Sequence, residues 1–555
     1  MIRLTKNDEF SFVPEQDFEL ELVSDESIEY KYDEDRKILE KHDKIIVPAG
    51  TEIVLFSENE AMLKSEPKGT SLTRRGERII SSEDEFYSMK DKPKRVFWND
   101  ELRGGSFTLS DNPEADDGGI WFNGYKRDNV DYVKPEWFGA VGDGVTDDTD
   151  ALQNSINTGL KIICRNNSVF LITQTLIFKE NTVIDLNNST LKGSIAVLAS
   201  VNGSFSLHNG ELITNATTYV DTYSGVITSL NKSIDSMVLD KIKISAPDVE
   251  INGCSIIASN DNSQVKNVYL DVEFIDVGRM GIEFLGHGIT DADRLVNYID
   301  NIYVKKIVTK NTGLKSIYGM GISFSGEVRN AHVEYANISN YKDIGFEIAT
   351  GGKHDGGGKF FINNLVLNNV VDDAYGVQCS VTDGDIGAKS IKFNNIVSNG
   401  MCRFRFDVYG KCDINNIVAD SVHTITGENT TIHNINIDDI QYSIQPRSVD
   451  GALLKILNGN IKSSRSGNSI FIASSNNLIL NNLELNTLSG YIVKTYGTAK
   501  AKLTNCFING GTNYATDTSS ITYVESSITT GSVVDSGTVP LIMRNVYVND
   551  TLTNS

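Results

Sequence analysis

Residues Val133–Gly159 read VKPEWFGAVGDGVTDDTDALQNSINTG, and this stretch decides how the rest of the chain is interpreted. Before it the sequence is acidic and irregular. After it, short strand-like units repeat almost to the end. Trp137, Phe138 and Val141 are expected to form a small apolar knot, around which Gly139, Gly142 and Gly144 let the backbone turn tightly. A helix start follows. Thr146 or Asp147 is placed to cap its free N–H groups, and Asp147, Asp148 and Asp150 lie where a helix dipole favours negative charge. Ala151, Leu152, Ile156 and Leu160 then share one apolar face. A single amphipathic helix ahead of hundreds of residues of β-pattern predicts a plug over the open end of a solenoid. The acid cluster has neither the carboxylate rhythm nor the closing glutamate of an EF-hand calcium loop.

From about residue 160 the coils begin, with VIDLNNSTLKG (183–193) and FSLHNGEL (205–212) as strand–turn–strand units. Further on, an Asn followed by an aliphatic residue aligns the repeats. Asn364, Asn395, Asn416, Asn434, Asn460 and Asn482 take equivalent positions, at intervals of 31, 21, 18, 26 and 22 residues. Coils of a parallel β-helix stack at about 4.8 Å, so an Asn at one bend can bond to its equivalents above and below, with αL geometry open to it. This ladder is structural and carries no chemistry.

The residues WFGAVGDGVTDDTDALQ resemble the lead-in segment of the pectate-lyase-like right-handed β-helices, particularly those of bacteriophage tailspikes and capsule depolymerases. The resemblance implies an all-β fold: a right-handed parallel β-helix, homotrimeric, with small β-rich parts at either end. It is silent on chemistry, because hydrolases, lyases and inactive binders share the segment. RGGSFTL and DDGGIWF, ahead of it, look like the neck of phage tail proteins, which follows a particle-attachment domain. The expected organisation is an acidic attachment region at 1–95, a neck at 96–132, the lead-in segment and capping helix at 133–160, the β-helix at 161–514, and a trimerisation region at 515–555. The implied partners are a bacterial surface polysaccharide, two further copies of the chain, and a phage tail or another tail fibre held through the N-terminal region. The implied location is the virion, acting at the host surface after synthesis in the bacterial cytoplasm.

Composition is consistent with this. A solenoid can run to 555 residues on one continuous core, and 40 % hydrophobic residues support a folded chain. A net charge of −22 argues against nucleic-acid binding and against docking on anionic membranes. The N-terminal MIRLTKNDEF has no apolar signal core, and no run approaches the length of a membrane span. Within residues 1–60, 17 Asp/Glu stand against 7 Lys/Arg, yet Phe18–Val23 and Lys44–Leu55 alternate like strands, so a small β-rich domain is expected there. Residues 57–95 are polar and read as a linker or helical connector. The six cysteines form no CxxC pair and no zinc spacing, so they read as small buried hydrophobes. Neither a metal nor a cofactor is expected. After 515 the Ser/Thr/Gly-rich strands are expected to be too thin to bury a core within one chain, which points to trimerisation.

The candidate chemistry comes from aligning RMGIEFLG, GMGISFSG, DIGFEIAT, AYGVQCSV and MCRFRFDV. Ile282, Ile322, Phe346, Val377 and Phe404 point inward. Glu283, Ser323, Glu347, Gln378 and Arg405 form an outward strip, floored by Gly281, Gly321, Gly345, Gly376 and finally Arg403. Glu347 and either Glu283 or Asp373 would share general acid and base roles. Arg403, Arg405, Gln378, Asp372, His354 and Asp407 would contact the sugar, the arginines gripping an acidic group and Asp407 holding Arg405. GGKHDGGGKF (351–360) reads as a loop over the groove. Endo-cleavage of a bacterial capsular or O-antigen polysaccharide by hydrolysis is the expected activity. Alternatives are β-elimination on a uronate-containing glycan and a non-catalytic adhesin. A solvated face would explain the strip with no function at all.

Overall fold

The structure, a computed structural model, describes residues 77–193, 198–199, 202–214, 225–286, 296–349, 358–369, 374–380, 388–447 and 451–464, strand segments between residues 2 and 74, and most of 470–553. It divides into two units, residues 1–142 with 146–165, and residues 143–145 with 166–555.

The first unit is β-rich from its start. Ile2–Leu4, Ala61–Glu66, Phe18–Leu22 and Lys44–Val47 make one antiparallel sheet, and Asp8–Phe12, Ile53–Ser57, Ile28–Tyr32 and Asp35–Leu39 a second. The stretch read as a linker or helical connector holds a short helix and also supplies Thr73–Arg74 and Glu77–Ile80 to a third sheet, completed by Arg95–Trp98, Gly105–Leu109, Tyr125–Arg127 and Trp121–Phe122. The short helix Glu83–Ser88 sets Phe86 against Trp98, Phe107, Phe122 and Tyr125, an aromatic core with several edge-on contacts. Arg127 lies buried over the Trp137 ring at 4.1 Å and donates to the carbonyls of Gly119, Gly104 and Arg103. Burial lowers its pKa to about 9, so it remains charged at neutral pH.

The expected helix forms over Thr149–Asn157, with Ala151, Leu152 and Ile156 buried. Its acid cluster is structural. Asp147 Oδ1 accepts from the Thr149 N–H at 3.0 Å, while the buried Asp148 carboxylate accepts the N–H groups of Val141 and Gly142 at 2.6 and 3.1 Å. Further details differ from the sequence reading: the helix N-cap falls on Asp148, whose side chain makes no cap bond, and not on Thr146 or Asp147. Val141 is 37 % exposed and Ala140 is the buried residue, and Trp137 stacks on Tyr132 at 5.9 Å.

The second unit is a parallel β-helix. One column of side chains illustrates its core: Leu207, Leu239, Leu270, Val304, Val333, Ile362 and Phe393 follow one another in register and are fully buried. Each such side chain contributes about 1.5–3 kcal/mol on burial. The polar ladder runs beside this core. Asn395 Nδ2 donates to Asn364 Oδ1, Asn416 to Asn395 and Asn434 to Asn416, at 2.9, 2.9 and 3.0 Å. The next rung is Asn458, not Asn460: Asn482 donates to Asn458 Oδ1 at 2.9 Å, and Asn460 stands opposite Asn436. Of these rungs Asn482 alone is left-handed, at φ 57°. Side-chain bonding therefore defines the ladder, not backbone twist.

The segment after 515 does not stand apart. Ile521–Glu525 pairs in parallel with Lys500–Thr504, Ile542–Arg544 and Val546–Val548 continue the stack, and Val524 and Val546 are fully buried. The argument that this stretch cannot bury a core within one chain is corrected: it uses the preceding coil as its template. Among the described residues no helix is long and apolar enough to cross a membrane.

Candidate functional site

The predicted stack is present as a register. Glu283 lies opposite Ser323, Ser323 opposite Glu347, Glu347 opposite Gln378 and Gln378 opposite Arg405, and Ser255 precedes Glu283. Behind it Ile282, Ile322, Phe346, Val377 and Phe404 are buried as expected. Two coils separate Glu283 from Glu347, roughly 9.6 Å along the axis at the sheet spacing.

The strip is not an open, solvated face. Glu283 and Glu347 are only 6 % and 8 % exposed, and Ser323 between them is buried. Glu283 Oε2 accepts Asn252 Nδ2 at 2.8 Å and lies 3.4 Å from Arg279 Nη1. Arg279 and Asn252 thus supply a charge and a donor that the sequence reading missed, although Arg279 sits four residues before the glutamate. Glu347 Oε2 accepts Ser323 Oγ at 2.6 Å. Burial raises the pKa of both glutamates. At Glu283 the Arg279 guanidinium and the Asn252 amide work against that rise. At Glu347 the Ser323 hydroxyl opposes it, whereas the carboxylates of Glu283 and Asp343 add to it. Burial also raises the pKa of Asp343, one turn before Glu347.

The glycine floor has a different cause from the one expected. A Cβ on Gly281 would lie 2.5 Å from the Gly321 carbonyl oxygen, one on Gly321 would lie 2.6 Å from Gly345 O, and one on Gly345 would lie 2.8 Å from Gly376 O. Thr309, Ile338 and Leu367 crowd the same positions. The glycines therefore answer the packing of one coil on the next, and they offer no open seat for a sugar ring. Arg403 also leaves the place assigned to it. A register shift between Tyr375 and Val377 sets it opposite Tyr375, its guanidinium 5.8 Å from that ring, at the end of the apolar cluster of Met280, Met320 and Ile344.

At the far end of the strip Arg405 Nε pairs with Asp407, which is 2 % exposed. Arg447 Nε lies 3.6 Å from the same carboxylate, and its Nη1 lies 3.1 Å from Glu428 Oε2. Asp407 is thus held between two guanidiniums. Arg447 follows it by two coils of unequal length, and nothing in the sequence marks the pairing. Asp372, Asp373 and His354 lie outside the described residues, as does most of the Gly-rich loop. Among the described residues no group of three His, Cys, Asp or Glu side chains is placed to hold a metal ion.

A parallel β-helix with buried carboxylates along one outer column is the class that fold and geometry define. No protein-family profile matches the chain. Two curated relatives are capsule depolymerases of phages. The chain is 34 % identical over 116 residues to the capsule K30/K69-specific depolymerase of Klebsiella phage K64-1, covering 21 % of this chain and 15 % of that protein. It is 23 % identical over 207 residues to depolymerase 1, capsule KN3-specific, of Klebsiella phage KN3-1, covering 36 % and 24 %. The matches thus span less than a quarter of either relative. Among solved structures it is similar to the tailspike of Acinetobacter baumannii phage AM24, with 9 % identity, a TM-score of 0.29, and coverage of 82 % of this chain and 65 % of that one. It is also similar to the gp42 tailspike of Acinetobacter phage vb_AbaP_AS12, with 10 % identity, a TM-score of 0.31, and coverage of 77 % and 74 %.

Proposed function

We propose that this chain is a phage tailspike-like depolymerase that binds and endo-cleaves a bacterial surface polysaccharide by glycosidic hydrolysis. The observation that carries this reading is the pair Glu283 and Glu347. Both are nearly buried, in register and two coils apart, and their surroundings act on them in different ways. An axial offset of roughly 9.6 Å is at the upper end of the carboxyl separation in inverting glycosidases, which leave room for a water between acid and base. Glu347, whose pKa burial and the neighbouring carboxylates of Glu283 and Asp343 raise, is the general acid that protonates the leaving oxygen. Glu283, whose charged form Arg279 and Asn252 support, is the base that activates the water. Gln378 and Arg405 continue the column and would bind the adjoining sugars. Asp407 neutralises and aims Arg405, which makes that guanidinium a weaker partner for a uronate carboxylate than a lyase would need.

The relatives' capsule specificities suggest the first substrates. Incubation with capsular polysaccharides of the K30, K69 and KN3 types, followed by a reducing-end assay, is the test. New reducing ends without the ultraviolet absorbance of an unsaturated uronate are expected. Absorbance rising with the reducing ends would replace hydrolysis by elimination. Binding with no new ends on any glycan of a wider capsular panel would leave an adhesin.

A further inference from the structure

We propose a second carbohydrate-binding face, on a different column of the β-helix from the carboxylates. Tyr269, Tyr303, His332 and Phe361 follow one another in register along the strands Val268–Val277, Ile302–Thr312, Asn330–Tyr341 and Lys359–Asn368. Their ring centroids are 5.8, 5.4 and 4.8 Å apart, and the Lys392 ammonium lies 5.9 Å from the Phe361 ring. All four rings belong to outward positions, and Tyr303 is 38 % exposed. Two residues before Tyr303, His332 and Phe361 stand Asn301, Asn330 and Lys359. Between the two columns lies an open cavity of about 270 Å³.

This combination has a specific chemistry. Aromatic faces accept the apolar C–H face of a pyranose, while amides and an ammonium beside them bond its hydroxyl or acidic substituents. The cavity has room for one sugar ring, and the column presents a ring on each of four coils, Tyr269 and Tyr303 stacked and His332 edge-on to its neighbours, which suits a chain and not a single residue. A second copy of the protein fits the face less well. The neighbouring column carries ion pairs, Lys305 with Asp271 at 2.8 Å and Lys306 with Glu273 at 2.6 Å, and the cores of protein interfaces are depleted in such charges. A hydroxylated polymer can lie over them without stripping their water. The face holds a segment of pyranose polysaccharide and keeps the enzyme on its polymer between cleavages.

The inference rests on polysaccharide as the ligand class but not on cleavage. Tyr303→Ala and Tyr303→Phe are made in the full chain and run through native gels containing immobilised capsular polysaccharides, alongside Glu347→Gln. Tyr303→Ala is expected to weaken retardation about ten-fold, with Tyr303→Phe and Glu347→Gln retarded like the wild type, and to leave turnover of short oligosaccharides unchanged. Retardation of Tyr303→Ala equal to that of the wild type overturns the proposal, even where cleavage itself is found. So does a change in the oligomeric state of Tyr303→Ala by light scattering, which would make the face a contact between copies. Tyr303-dependent retardation by a polysaccharide that is never cleaved supports the second face and removes the hydrolase reading alone.

Discussion

At the scale of single residues, the proposed chemistry rests on two glutamates that cost stability to bury. Replacing Glu347 by Gln preserves shape and removes the transferable proton. Cleavage should fall by about 10²–10⁴ with glycan binding retained, as steady-state kinetics and a binding assay would show. The same variant makes a thermodynamic prediction. Because the folded-state pKa of Glu347 is raised, the folded state holds the proton longer than the unfolded chain does. The favourable contribution is present below the ordinary glutamate pKa and is lost as pH rises through the elevated one. Glu347→Gln should therefore melt above the wild type at neutral pH, and the gap should close as the solution is acidified below the ordinary glutamate range. Thermal melts over a pH series read this directly; a gap that persists at the acid end would mean that the stabilisation comes from packing and not from the buried charge.

At the scale of the element, the strand containing each acid is positioned by the glycine two residues earlier. Gly321→Ala places a Cβ 2.5 Å from Ile338 Cγ2 and 2.6 Å from Gly345 O. The coils must part at that corner, at a cost of about 1–3 kcal/mol of stability by chemical denaturation. The hydrogen bond from Ser323 to Glu347 depends on the same strand, so activity should fall with stability. Much of this element was legible in advance. The alternation of RMGIEFLG and its counterparts gave the inward column and the acid column correctly, because both follow from the two-residue period of a strand. What could not be read was anything set by coil length. Arg403 moved to Tyr375 because one bulge shifted the register, and Asn460 yielded its place to Asn458 because the coil before it is two residues shorter than the spacing suggested. Arg447 reaches Asp407 for the same reason, as the product of turns whose lengths carry no pattern. The burial of the acids was also invisible, since a sequence shows which face a residue takes but not what covers it.

At the scale of the whole molecule, a homotrimer is proposed. It no longer rests on a tail unable to bury itself, since Ile521–Glu525 and its successors extend the stack. It rests on the resemblance of the lead-in segment and on apolar side chains left on the outside of the later coils, Val418, Tyr442 and Phe507, each more than 40 % exposed. Light scattering at micromolar concentration should give three times the chain mass; a monomer there excludes the assembly. Tyr442→Ser combined with Phe507→Ser should weaken it if those faces are the contact. Attachment to a tail through the acidic N-terminal region is proposed on the resemblance alone, and a deletion of residues 1–95 that still incorporates into particles would remove it.

The cysteines give the stack a further property. Cys254, Cys379, Cys402, Cys412 and Cys506 are spread along the β-helix, all free and all nearly inaccessible. Burial also keeps them protonated, the Cys402 thiol being pushed up to about 12, so an alkylating reagent finds neither access nor thiolate. Each thiol becomes labelled only when its own coil opens. In a solenoid, where coils hold chiefly to their neighbours, such openings can start at one end and travel. Pulsed alkylation read by peptide mass would then time the unzipping coil by coil, with Cys506 modified before Cys379 if fraying begins at the C-terminal side, and all five modified together if the β-helix lets go as one cooperative body.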